Sequence, residues 1–340
     1  MRKLLRVALA AATLAFAGLS AAQDKIELKL SHYLPPTHGL HVDFTEPWAK
    51  ELEKKTGGRV TVKVFPGNSS LGNAANQLDQ VQAGVVDIAL GLSGIPRGRL
   101  PRTTIIDLPF MTDSADAASH ALWAVYPKYL AEEYKGLKVL ALFAHNPGLI
   151  ALRAKKVDKA EDLKGLRIRA PSVQTQALLT ALGATPVGMP PGQIYENMEK
   201  GVIDGAMMPY DGFKGFKVDE LARYYYDADL YTTSFYFVMN QKKYDGLPPE
   251  IRKAIDEISG DVLVARFGGW WDKWDKAGMD AVKAKNGVVF EATAKDKEAL
   301  RKQLQPVIDQ QLAELEKAGV ANARAIHDEM RKEVAKRAKK

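Results

Sequence analysis

Apolar and polar positions along this chain keep two rhythms, one of two residues and one of three to four. Ile26, Leu28 and Leu30 alternate with polar neighbours, as do residues 60–65, and the apolar run 139–143 reads as a further strand. In 162–170, Leu166, Ile168 and Ala170 alternate with Arg167 and Arg169. Period-two alternation predicts half-buried strands. The run 234–240 (SFYFVMN) is a strand with Phe235 and Phe237 on one face and Tyr236 and Val238 on the other. Between the strands lie helical stripes. Phe44, Trp48 and Leu52 share a face of a helix over 42–56, which Gly57-Gly58 ends. Further helices are predicted over 71–83 (closed by Gly84), 115–133, from Val173 to Gly183, and 193–200 (closed by Gly201). Pro171 ends the strand before Val173, and Ser172 is placed to cap the helix. Apolar segments 85–90 and 202–206 read as buried strands, and 288–291 as a short one. Residues 247–285 form one long helical run with a stripe of Ile251, Ile255, Ile258, Val262 and Ala265, and 295–340 is mostly helical. Strands alternating with helices indicate an α/β fold.

The pattern occurs twice. Gly84-Val85-Val86-Asp87-Ile88-Ala89 matches Gly201-Val202-Ile203-Asp204-Gly205-Ala206, and each follows a glutamine-containing helix that stops at the glycine. Two similar α/β lobes leave such a trace, and so does a common helix–strand junction.

Composition adds a compartment. Arg2, Lys3 and Arg6 precede a short apolar core from Val7 to Leu19 and the small residues Ser20-Ala21-Ala22. This is a secretory signal over 1–22, with cleavage expected before Gln23; its apolar run is short for a membrane span. The formal charge of +7 falls to about +4 without those three residues. No basic stripe interleaves with aromatics, so nucleic acid is not an expected partner. The 340 residues hold no cysteine, which excludes disulfides and thiol chemistry, and the length allows two domains.

Candidate chemistry centres on Arg169, at the carboxyl end of a strand and just before a helix, where open α/β sheets bind ligands. A guanidinium there suits a carboxylate, with two parallel hydrogen bonds; an exposed charge paired with a nearby acid is the plainer reading. His32, His38 and His41 lack metal-ligand spacing and read as loop histidines, so no metal is expected. Ser93 fails the Gly-x-Ser-x-Gly nucleophile pattern because Ile95 fills the last position, and is better used as a ligand hydroxyl contact. Arg97, Arg99 and Arg102 either face an anion or are solvated loop charges.

The segments Asp162-Leu-Lys-Gly-Leu-Arg-Ile-Arg-Ala-Pro171, Leu182-Gly-Ala-Thr-Pro-Val187 and Gly201-Val-Ile-Asp-Gly205 closely resemble the solute-binding proteins of tripartite ATP-independent periplasmic (TRAP) transporters, and the resemblance covers nearly the whole chain beyond the signal. It implies a two-lobed periplasmic binding protein with a long helix spanning both lobes. Lobe I is then expected over 23–147 plus about 237–275, and lobe II over 148–236 plus about 276–340. The arginine matching Arg169 holds the ligand's carboxylate in that family. Tyr33 and His38 stand in a loop that often contacts ligand. Ser93 from the first lobe and Gln174 and Tyr210 from the second are expected to close on it, with Phe235 as an aromatic cover. Where some relatives have a second arginine this chain has His145 and Asn146, and where many have asparagine it has Met208. His145, Met208 and Tyr210 together favour a monocarboxylate with an apolar tail.

The resemblance implies a periplasmic protein without cofactor that delivers a small organic acid to two integral membrane subunits, with import driven by an ion gradient; a monomer is the default expectation. A binding protein for an ATP-driven importer would share the architecture. An exported organic-acid enzyme is the third reading, but no nucleophile elbow, His-Glu-x-x-His or phosphate-cradling loop is present.

Overall fold

The computed structural model describes residues 25–337; the signal segment expected over 1–22 lies outside them. In chain order the regular elements are β1 (Ile26–His32), α1 (Glu46–Lys55), β2 (Val60–Phe65), α2 (Gln77–Gln82), β3 (Ile88–Leu92), α3 (Ala115–Val125), β4 (Leu137–Ala144), β5 (Gly148–Leu152), β6 (Arg167–Ala170), α4 (Val173–Ala181), β7 (Thr185–Gly188), α5 (Ile194–Glu199), β8 (Gly205–Met208), α6 (Tyr210–Gly215), β9 (Tyr224–Tyr231), β10 (Ser234–Asn240), α7 (Gln241–Asp245), α8 (Pro249–Glu257), α9 (Asp261–Ala284), β11 (Val288–Glu291), α10 (Ala294–Lys317) and α11 (Ala323–Ala335).

They build two sheets, ordered β2-β1-β3-β10-β4 and β11-β9-β5-β8-β6-β7. Each has a parallel trio, β2-β1-β3 in one and β7-β6-β8 in the other. Against each trio lies an antiparallel strand that has just crossed from the other sheet: β10 beside β3, β5 beside β8. The sequence repeat falls on equivalent corners of this arrangement. The Asp87 carboxylate accepts the backbone N–H of Lys29 at 2.8 Å, and Asp204 accepts that of Arg167 at 2.8 Å. Gly84 and Gly201 have φ of +73° and +69°, open to glycine without a Cβ clash. Each aspartate thus ties the start of its third strand to the first strand of its trio.

Several boundaries differ from the periodic reading. The apolar runs 85–90 and 202–206 include the turn after a helix: Val202 and Ile203 both donate to the Asn197 carbonyl, and the strand begins at Gly205. The long run 247–285 is broken at Gly260, whose φ is +62° and whose N–H leaves the helix to bond Leu140 O at 2.7 Å. α3 stops at Val125, and Pro127 follows in a wider turn.

Helix α9 lies along α3 on one side and α6 on the other, so it touches elements of both sheets. Its Gly278 permits this: a Cβ there would sit 2.2 Å from Tyr210 O. On the first sheet, Phe44, Phe143, Phe237 and Phe267 form a buried aromatic knot with Trp271, the Phe143 and Phe267 rings stacked at 3.7 Å. Burying such a side chain contributes about 1.5–3 kcal/mol. The assignment of 276–340 to lobe II does not describe α10 and α11. Leu300 and Leu304 of α10 join the second sheet's core, whereas Ile308 and Leu312 one to three turns later join the first sheet's core, with Ala323, Ile326, Met330 and Val334 of α11. The apolar face of α11 matches α3, and that match draws the C-terminus back across the molecule.

Candidate functional site: a buried arginine in an aromatic cavity

β6 is an interior strand, flanked by β7 and β8, so a side chain near its end is screened from water. Arg169 is 2% exposed. Its Nε donates to Met189 O at 3.1 Å and its Nη1 to Met207 O at 3.0 Å, which aims the fork into a cavity of about 40 Å³ between the sheets. Nη2 is buried without a partner, and no carboxylate among the described residues forms an ion pair with this guanidinium. Burial lowers its pKa to about 10, opposed by Tyr231 and Tyr33, so it stays charged at neutral pH. A buried cation without a counter-charge is costly, and a carboxylate in the cavity offsets that cost.

The walls are aromatic and apolar. Tyr33, Leu34, Leu92 and Phe235 come from the first sheet and the loop after β1, and Met207, Met208 and Phe216 from the second sheet's side. Trp271 comes from α9, and His145, Tyr231 and Thr233 from the paired crossings between sheets. Tyr33 stacks on Phe216, rings near parallel with centroids 6.5 Å apart. His145 packs edge-on against Tyr231, Phe235 and Trp271; its Nδ1–H donates to Asn146 O, and burial, with Arg169 nearby, lowers its pKa to about 4. It is neutral at physiological pH. Four more polar atoms here are buried and unpartnered: Tyr231 Oη, Thr233 Oγ1, Trp271 Nε1 and Asp211 Oδ2. Buried polar groups are almost always paired, so this concentration marks a place for ligand or solvent.

One contact closes the cavity across the lobes. Asp211 Oδ1 lies 3.2 Å from His38 Nε2, both side chains buried. The Leu40 N–H donates to His38 Nδ1, so Nε2 carries the hydrogen. Burial lowers the His38 pKa to about 3, with His41 contributing. The other two histidines of the early loop form their own chain: Leu34 N–H donates to His32 Nδ1, and His32 Nε2 donates to His41 Nδ1 at 2.9 Å.

Of the expected site residues, the fold brings Arg169, Tyr33, His38, His145, Met208 and Phe235 to this cavity, and leaves Ser93, Gln174 and Tyr210 off its wall. Side chains alternate along β3, so with Leu92 inside, Ser93 turns to a separate crevice. Gln174 shares that crevice and donates to Thr104 Oγ1 at 3.2 Å. Tyr210 points away to Asp227 and packs on Phe213, and its neighbour Asp211 faces the cavity instead. Of the loop arginines, Arg99 pairs with Asp79 at 2.7 Å, Arg102 donates to Ala321 O, and Arg97 lies against Gly188. Arg153 donates to the carbonyls of Met198 and Glu199. Sequence reasoning missed Asp211, Tyr231, Thr233 and Phe216. The polar run Thr232-Thr233-Ser234 between two aromatic strands was the available signal for the crossing.

Two sheets joined by paired crossings, with a charged cavity between them, define a two-lobed solute-binding protein. The family model of bacterial extracellular solute-binding proteins, family 7 (DctP), matches residues 30–315, and the chain belongs to that family, the solute-binding proteins of TRAP transporters. The outer membrane transporter protein TsaT of Comamonas testosteroni is 30% identical over 285 residues, spanning 82% of this chain and 83% of TsaT. A TRAP solute-binding protein from Rhodoferax ferrireducens T118, solved with copurified benzoate, is 33% identical with a TM-score of 0.88, over 92% of this chain and 98% of that one. A marine-metagenome TRAP solute-binding protein specific for aromatic acid ligands, solved with 3-hydroxybenzoate, is 30% identical with a TM-score of 0.89, over 93% of this chain and 100% of that one.

Proposed function

We propose that this protein captures an aromatic monocarboxylate between its lobes and releases it unchanged to two integral membrane subunits of a TRAP transporter, with uptake driven by an ion gradient. The observation that carries the reading is the Arg169 guanidinium, buried and without a counter-ion, at the end of a cavity walled by aromatic rings. One fixed cation matches one carboxylate, and Tyr33, Phe216, Phe235 and Trp271 match a ring. The benzoate and 3-hydroxybenzoate bound by the two similar structures support the same class. Residues 1–22 serve as the signal for export to the periplasm, in keeping with an extracellular solute-binding family.

Calorimetry against benzoate, cyclohexanecarboxylate, succinate and glucuronate tests the ligand class. Benzoate is expected to bind at least tenfold more tightly than succinate or glucuronate; binding confined to the dicarboxylate or the uronate overturns the reading. NMR of the ligand after prolonged incubation is expected to show it unaltered.

A further inference from the structure

Asp211 is the cavity's second polar anchor, and among the described residues nothing uses half of it. The side chain is 4% exposed and lines the same cavity as Arg169, yet no ion pair joins the two. Its Oδ1 accepts the His38 Nε2–H, and its backbone N–H donates to Asp275 Oδ1 at 2.9 Å. Oδ2 is buried with no partner. His38 and Asp211 also line the crevice that adjoins the cavity on its outer side, so this carboxyl stands at the boundary of the two.

The groups facing it are His38, Tyr33, Asp275 and Lys214. Burial and Asp275 push the Asp211 carboxyl well above the usual carboxylate range, and Lys214 opposes them. An ionised Oδ2 accepts a hydrogen bond, and a protonated one donates. A hydroxyl does either, a methyl group neither.

We propose that Asp211 reads a hydroxyl on the ring of the bound acid, making this a receptor for hydroxy-substituted aromatic monocarboxylates. This rests on the proposed aromatic-acid function and narrows it. A site built to hydrogen-bond a hydroxyl rejects the analogue that lacks it, because its own buried polar atom then goes unpaired.

The test is calorimetry on the purified mature protein with benzoate, 2-, 3- and 4-hydroxybenzoate and 3-methylbenzoate. At least one hydroxybenzoate is expected to bind about 10- to 100-fold more tightly than benzoate, the range for one hydrogen bond to a buried or charged group; 3-methylbenzoate should show no such gain. Asp211→Leu, similar in shape, is expected to reduce the hydroxybenzoate-to-benzoate ratio to within about threefold, and Asp211→Asn to keep part of it. Losing the His38 contact weakens closure on every ligand alike, so the ratio isolates the hydroxyl. Asp211→Ala gives the same ratio if the leucine variant does not fold. Equal affinities for benzoate and all three hydroxybenzoates in the wild type, or a ratio unchanged in the Leu and Ala variants, overturns the proposal and leaves the aromatic-acid reading standing. Failure of every aromatic acid to bind the wild type removes both.

Discussion

Replacing Arg169 with glutamine removes the charge and the free edge of the fork while keeping a polar side chain in the strand. In the wild type, Nε and Nη1 each already serve a backbone carbonyl, and Nη2 is unspent. A carboxylate meeting that edge gains charge-assisted hydrogen bonds of about 1.5–3 kcal/mol each. One or two such bonds correspond to roughly one to four decades of affinity at about 1.4 kcal/mol per decade. The expected outcome is a fall in benzoate affinity of at least about a hundredfold by calorimetry. Benzamide, which has the same ring and no charge, supplies the control: its binding should change by less than about threefold. The ligand-free variant should not be greatly destabilised in denaturant melts. Weaker bonds to Met189 O and Met207 O oppose relief from burying an uncompensated cation, and the two act in opposite directions. Benzoate affinity within about threefold of wild type would refute the argument, and equal losses for benzoate and benzamide would show that the variant had damaged the cavity generally.

Trp271 is buried against the cavity, so Trp271→Phe is expected to remove most of the ligand-induced change in tryptophan fluorescence while the protein still binds. Gly278→Ala drives a methyl into the backbone at Tyr210 and Asp211; overpacking of this kind costs about 1–3 kcal/mol, read as a lowered urea midpoint with an unchanged slope. Asp107 is buried, accepts the N–H and hydroxyl of Ser234, and has its pKa pushed by burial to about 7. Native protein therefore holds a proton there that the unfolded chain releases near pH 4, a contribution complete below that pH and lost as pH rises to about 7. The stability of Asp107→Asn relative to wild type should climb by on the order of 1.4 kcal/mol per pH unit over that window and then level; a pH-independent difference would contradict it. Ser93→Ala, off the cavity wall, should shift benzoate affinity by less than about twofold in the same calorimetry.

Much of the architecture is legible in the chain itself, because periodicity states which face of an element is apolar. β10 shows this: the two faces read from its alternation enter two different cores, Phe235 and Phe237 in one, Tyr236 and Val238 in the other. The Gly-x-x-Asp corner was legible as a repeat along the chain, but the bonds its aspartates make, to backbone 58 and 37 positions upstream, were not. Arg169 stood out because a charge at the end of a strand needs an explanation, and resemblance to a known family supplied one. Facts that depend on two distant surfaces meeting had no trace in local pattern. The return of α11 to the first sheet depends on its fit to α3. The choice of Asp211 over Tyr210 for the cavity depends on how α6 is set against Gly278 of α9. The unpartnered state of Arg169 Nη2 and Asp211 Oδ2 depends on what both lobes leave unoffered around them. Alternation and capping are settled between neighbours a few residues apart, so they can be read along the chain; whether a buried polar atom finds a partner is settled by residues hundreds of positions away, and only the assembled lobes bring those together.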